Sequence, residues 1–207
     1  MRMRGIDFWF DFASTYSYPA AMRIETEAAA AGVAVTWRPF LLGPLFQKQG
    51  WNDSPYNLNP VRGRYMWRDL ERLCAGYRLP FRRPTQFPRR SILAARVGCA
   101  AAGSAAAAEG AAWLPRFARA VFTANFAQDR DIDDPEIIGA ILTELGLDGA
   151  AWLSAAVTPE NKERLRRATD AAWELGLFGA PSFLVNGELF WGQDRLDQAI
   201  AWAVRQP

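Results

Sequence analysis

The chain contains no histidine. That absence removes Ser-His-Asp hydrolysis, Cys-His nucleophilic chemistry and histidine metal sites in one step, and no metal is expected. Cysteine is scarce as well: Cys74 and Cys99 stand far apart, in segments of helical pattern, without C-x-x-C spacing. They read as reduced, structural residues. Excess charge is missing too, with 24 Lys plus Arg against 22 Asp plus Glu, a net charge of +2. So weak a field argues against nucleic acid and membrane surfaces as partners and favours a small molecule. Long apolar runs are also lacking. The Ala-rich stretch from Ala94 to Trp113 is interrupted by Arg96 and Glu109 and built from small side chains, so no membrane span is expected. Residues 1–5 carry two arginines, but Asp7 and Asp11 break the run that follows and no small-residue cleavage pattern is present. No signal peptide is read, and a cytoplasmic protein is expected. Any catalysis must rest on hydroxyls, carboxylates, arginines, backbone amides or a borrowed reagent.

What the chain does contain is apolar bulk. Half of its 207 residues are hydrophobic, enough to bury roughly 70% of the surface an unfolded chain of this size exposes. One compact unit with an insertion is the default. The run from Ile6 to Phe12 reads as a buried strand, breaking at Ala13, Ser14 and Thr15 into a helix over 16–31 with Ala20, Ala21, Ile24 and Ala28 at helical spacing. Gly32 closes that helix. Val33, Val35 and Trp37 alternate with Ala34 and Thr36 as a second strand. From Leu41 to Pro60 the density of Gly, Pro, Asn and Asp predicts a loop.

Helical patterns follow near 62–76, 90–109, 111–127, 134–146, 149–156 and 159–176, with Pro115 near a helix start and Asp133 or Asp134 capping before Pro135. After Gly176 the period changes. Pro181 to Val185 reads as a strand, Asn186-Gly187 as a two-residue hairpin turn, Glu188 to Trp191 as its partner, and Asp194 to Val204 as a last helix. The junction at Ser14 stands out, because a helix N-terminus offers unpaired N–H groups and partial positive charge to an anion. Taken alone, Ser14 reads first as an ordinary helix cap.

The order β-α-β, helical insertion, β-β-α, with an X-Pro pair before the third strand, is that of a thioredoxin fold with an inserted helical domain. The stretch from Phe10 to Tyr18 (FDFASTYSY), Gly179-Ala180-Pro181, and Trp191-Gly192-Gln193-Asp194-Arg195 closely resemble the 2-hydroxychromene-2-carboxylate isomerase family. That family is related to kappa-class glutathione transferases and, more distantly, to DsbA oxidoreductases. The resemblance spans nearly the whole chain. It implies an α/β thioredoxin fold of DsbA/kappa-class architecture, with residues 1–48 and 175–207 forming the thioredoxin-like domain and 49–174 an inserted all-helical domain.

The resemblance places Ser14 where the oxidoreductases have their first active-site cysteine. It implies that glutathione brings the sulfur, as a thiolate hydrogen-bonded to Ser14 at the helix N-terminus. A thiol of pKa about 8.5 needs about 2 to 3 kcal/mol to become mostly thiolate at neutral pH. A charge-assisted hydrogen bond of about 1.5 to 3 kcal/mol and a helix end of about 0.3 to 1 kcal/mol can supply it. A cis Pro181 would turn the Ala180 backbone toward the cysteinyl part of glutathione, a rigid turn without ligand being the plainer reading.

Trp191, Gly192, Gln193 and Asp194 are implied to hold the γ-glutamyl end, Gln193 standing where the family most often has Asn; a plain helix cap is the competing reading of Asp194. Gln47, Asn52 and Asp53 fall in a stretch that resembles the family's segment closing over the substrate, and the resemblance implies a substrate-binding role for them, Gln47 replacing a Lys common in relatives. Arg62 and Arg64 could supply charge in its place. Phe87 to Ser91 resembles a family stretch that usually has Asn at Arg90. Tyr16, Tyr65, Trp67 and Trp191 are candidates for an apolar slot. The implied activity is a glutathione-dependent isomerase of a small aromatic carboxylate, and relatives imply a homodimer. A kappa-like transferase and a non-catalytic thiol- or peptide-binding module remain alternatives.

Overall fold

The computed structural model describes residues 4–103 and 107–205, and over 107–111 the backbone only. Residues 1–3, including Arg2, and residues 104–106 of the expected 90–109 helix lie outside the described residues. Strand β1 (Gly5–Phe10) sits centrally in a four-stranded sheet of order β2-β1-β3-β4. It is parallel to β2 (Ala34–Pro39) and antiparallel to β3 (Ser182–Val185), which pairs antiparallel with β4 (Glu188–Trp191). Both faces of β1 are covered, which is why it reads as a continuous apolar run. Phe8 and Phe10 pack edge-on to Trp37 on one face, while Trp9 packs against Phe40 on the other.

Helix α1 (Ser17–Ala30) crosses between β1 and β2. Gly32 ends it at φ +66°, and Val33 N–H returns to Ala28 O at 2.9 Å, the left-handed C-terminal closure that glycine permits. The hairpin turn likewise uses positive φ at Asn186 and Gly187, as a primed turn requires.

The 41–60 segment departs from expectation. Helix α2 (Leu42–Lys48) and the short helix α3 (Pro55–Leu58) replace most of the loop, leaving 49–54 irregular between them. Pro44 lies in the first turn of α2, where its missing N–H costs nothing, and Leu42, Leu45 and Phe46 give an apolar face. Ser54 and Asn59 then cap α3 and α4 (Pro60–Gly76), each followed by proline at the first helical position.

The insertion continues as α5 (Ile92–Ala102), α6 (Ala107–Phe126), α7 (Pro135–Glu144), α8 (Gly149–Ala156) and α9 (Pro159–Glu174), and α10 (Leu196–Arg205) closes the chain. Pro115 lies inside α6 rather than at its start, because alanine-rich sequence extends the helix ahead of it. Asp134 caps α7, while Asp133 accepts from Leu93 N–H at the start of α5. The last helix is preceded by a 3₁₀ turn, Gln193–Arg195, with Asp194 inside the turn. Sheet and helices share one core: Phe10 and Phe12 of the first strand region and Tyr18 of α1 meet Phe122 of α6. Among the described residues no helix is long and apolar enough to cross a membrane.

Arg89 is buried where the 77–91 connection meets α6. Its guanidinium donates to Asn125 Oδ1 (3.1 Å), Asp129 O (3.2 Å) and the Asp129 carboxylate. Hydrogen bonding from Thr85 N–H, then from Arg89, holds the Asp129 carboxyl down at about 2. A depressed carboxyl pKa stabilises the fold above its unfolded value and loses that contribution as pH falls through the folded one. Asp129→Asn is therefore expected to destabilise the fold by about 2 kcal/mol at pH 7. Urea unfolding should show the gap to wild type closing toward pH 2; a gap independent of pH would refute this account.

Candidate active site

Ser14 lies in the turn between β1 and α1 and is 8% exposed. Its hydroxyl donates to Ala180 O at 3.0 Å and accepts from Ser17 N–H at 3.3 Å. One side chain is therefore both a cap, satisfying an orphan amide of α1, and a bridge to a residue 166 positions away. The Ala180-Pro181 peptide is cis, and so is Phe87-Pro88.

Directly ahead of the turn, Asp11 is almost wholly buried. Its Oδ1 accepts from Ala13 N–H (2.9 Å) and Ser91 Oγ (2.6 Å), and its Oδ2 from Leu42 N–H (2.7 Å). Burial pushes its pKa up, and the bonds from Leu42, Ser91 and Ala13 pull it down, burial prevailing. With its hydroxyl committed to Asp11, Ser91 does not cap α5, and Asp133 serves instead.

Around these groups opens a cleft of about 860 Å³, within the range of small-molecule sites. Helix α2 and residues 49–54 form one wall, where the Phe46 and Trp51 rings meet at a tilt, 5.6 Å between centroids. The 178–180 segment and β4 form another, where Trp191 meets Phe178 edge-on at 4.8 Å. The Trp191 indole lies so close over Gly179 that any Cβ there would collide with it. Gln49 Nε2 donates to Phe178 O at 3.2 Å and Lys48 pairs with Asp170 at 3.2 Å, tying α2 to the opposite side. Tyr16 and Tyr56 also line the cleft. Burial, above all, raises the pKa of both phenols, and Tyr16 donates to Asp69 at 3.0 Å.

Five charged side chains line the cleft: Asp11, Asp53, Arg62, Arg89 and Arg90. Asp53 accepts from Ser54 N–H and Asn57 Nδ2, and Arg90 pairs with Asp133 at 3.2 Å. Asp11 and Arg89 are engaged as described. Arg62 alone has no side-chain partner among the described residues.

The structure thus brings Ser14, Ala180, Trp191, Gln47, Asn52 and Asp53 to one cleft. Pro181, Gly192, Gln193 and Asp194 do not line it. Gly192, at φ +111°, donates to Pro181 O. Gln193 is buried and its Oε1 is turned to Arg23 of α1 (3.4 Å) and Tyr77 (3.5 Å). The Asp194 side chain is exposed and pairs with Arg195. Beyond Trp191, therefore, the segment offers this cleft no side chain. Tyr65 is exposed and Trp67 is core, packed on Phe87; neither lines the cleft. Arg64 stays outside it, and Cys74 and Cys99 are free and buried, their thiols pushed up to about 11 and about 12 by burial.

Sequence reasoning passed over Asp11, Tyr56 and Ser91. The signal for Asp11 was a carboxylate between two phenylalanines at the end of an apolar run, which a folded chain buries only with partners.

Residues 5–200 match the family model of the DSBA-like thioredoxin domain. The chain is 31% identical over 193 residues to the 2-hydroxychromene-2-carboxylate isomerase of Sphingobium xenophagum, covering 93% of this chain and 94% of the relative. It is 24% identical to human glutathione S-transferase kappa 1, covering 94% and 88%. A solved 2-hydroxychromene-2-carboxylate isomerase superposes with a TM-score of 0.80 at 27% identity, covering 97% and 95%. The chain belongs to the DSBA-like thioredoxin domain family and, within it, to the group of the 2-hydroxychromene-2-carboxylate isomerases.

Proposed function

We propose that this chain is a glutathione-dependent isomerase of 2-hydroxychromene-2-carboxylate-like aromatic acids. The observation that carries the reading is the Ser14 hydroxyl bonded to Ala180 O at 3.0 Å, in a cleft lined by neither cysteine nor histidine. A hydroxyl at the helix entrance with no thiol beside it suits a site that polarises a sulfur it does not own.

The residues present suit such a ligand. Ala180 O accepts from Ser14 in the free chain, and an extended peptide pairing there would offer it an N–H instead. That exchange frees the Ser14 hydroxyl to donate elsewhere without leaving Ala180 O unsatisfied. Ser14 also stands at the entrance of α1, where the helix dipole favours an anion. Bound glutathione would supply a thiolate that adds reversibly to the substrate and departs after rotation about the former double bond. The chain's part is to hold that sulfur ionised, to stack the planar acid among Tyr16, Phe46, Trp51 and Trp191, and to offer Arg62 to a ligand carboxylate.

The similarity to kappa-class transferases makes conjugation the second reading, and product analysis separates the two. Isomer formed without net glutathione consumption supports the isomerase; a stoichiometric adduct supports the transferase.

Two variants test the assignments. Ser14→Ala is expected to lower kcat/KM for 2-hydroxychromene-2-carboxylate by about tenfold to a hundredfold, matching a charge-assisted bond of about 1.5 to 3 kcal/mol. Its acidic limb should move to higher pH, because losing the donor raises the thiol pKa. Turnover without glutathione, or an unaffected Ser14→Ala enzyme, would refute the mechanism. Arg62→Ala is expected to raise KM about tenfold with kcat nearly unchanged, the sign of lost uniform binding. An unchanged KM in steady-state assays would remove Arg62 from the site.

A further inference from the structure

We infer that Asp11 is a positioning residue for this reaction: its carboxylate latches the cleft-covering helix α2 and the start of α5 onto the turn that carries Ser14. The inference rests on the proposed function for its chemistry, and on geometry alone for the latch itself.

Three segments distant in sequence converge on one side chain. Ala13 N–H belongs to the Ser14 turn, Leu42 N–H is the first amide of α2, and Ser91 Oγ stands at the head of α5. The Asp11 main chain adds a fourth tie, its carbonyl accepting from Ser14 N–H at 2.9 Å. Asp11 is 3% exposed, and a carboxylate so placed is costly unless its donors are held in place. The donors are consequently constrained as strictly as the acceptor. Moving α2 away from the turn would strip Oδ2 of its partner, and moving α5 would strip Oδ1 of its shortest one.

The same elements carry the cleft. Helix α2 supplies Phe46 and Gln47, and the connection before α5 supplies Arg90. Asp11 itself lines the cleft but has its carboxylate oxygens turned to protein donors, so it acts through Ser14 rather than on a ligand. A plain packing role would be served by an uncharged residue. An acceptor shared among three segments serves to fix the distance between α2 and the Ser14 hydroxyl.

The donors can be removed one at a time. Leu42 follows Leu41 in extended conformation (φ −114°, ψ 126°) and opens α2, where proline is favoured. Leu42→Pro therefore deletes the N–H while sparing the helix start, and Ser91→Ala deletes the hydroxyl.

The test is a double-mutant cycle with Ser14. Asp11→Asn should lower kcat about tenfold in the wild-type background and less than twofold in the Ser14→Ala background, because its effect passes through Ser14. The same factor in both backgrounds would overturn the inference. If Asp11→Asn does not fold, the cycle is run with Ser91→Ala, judged by the same criterion. Amide hydrogen exchange supplies an activity-independent arm. Leu42→Pro and Ser91→Ala should each raise exchange in residues 13–17 and in α2 together, and exchange raised in only one of the two would overturn the latch. A wild-type chain without glutathione-dependent turnover would refute the proposed function and leave the exchange experiment to decide the latch.

Discussion

The hydrogen bond from Ser14 Oγ to Ala180 O joins the first strand-to-helix turn to the loop before the third strand, across 166 residues of sequence. The site depends on that closure. Everything between the two residues must return the chain to the edge of β1, and the antiparallel pairing of Trp9 with Ser182 is what brings Ala180 there. The long helical insertion shares the sheet's core through Phe10, Phe12 and Phe122, so the walls of the cleft and its reactive corner are set by one packed interior. A hydroxyl can serve as both cap acceptor and bridge donor because it has one proton and two lone pairs.

Polar groups near this corner divide into those the fold consumes and those it leaves available. Asp11, Asp53, Arg89 and Arg90 are bound to protein partners. Arg62, Gln47 and Asn52 line the cleft without side-chain hydrogen bonds among the described residues, and Ser14 can change partners. Two aromatic pairs, Phe46 tilted against Trp51 and Phe178 edge-on to Trp191, flank the opening. That division suits a flat acid accompanied by a peptide-like thiol better than it suits a disulfide substrate, since no thiol faces the cleft.

Local chemistry made part of this molecule legible in sequence. Asn186-Gly187 names its turn, Gly32 its helix end, Pro135 sits at a first helical position, and Ser14 and Pro181 are recognisable by their flanks. What was not legible depends on burial and on long-range partners. Helix α2 was hidden because Gly43 and Pro44 signal a break, although a first-turn proline breaks nothing. Asp11 looked like a mere interruption of an apolar run, since its three donors come from residues 13, 42 and 91. The side chains of Gln193 and Asp194 follow Trp191 in sequence yet turn to Arg23 and to Arg195, because the 3₁₀ turn at the head of α10 rotates them from the cleft.

The central claim is that this corner of the fold holds a borrowed sulfur in its ionised form. The most direct test is a pH titration of the ultraviolet thiolate band of glutathione bound to the wild-type chain. The account predicts a bound thiol pKa below about 7, against about 8.5 for an unperturbed thiol. Binding with an unshifted thiol, or no glutathione binding at all, would contradict it.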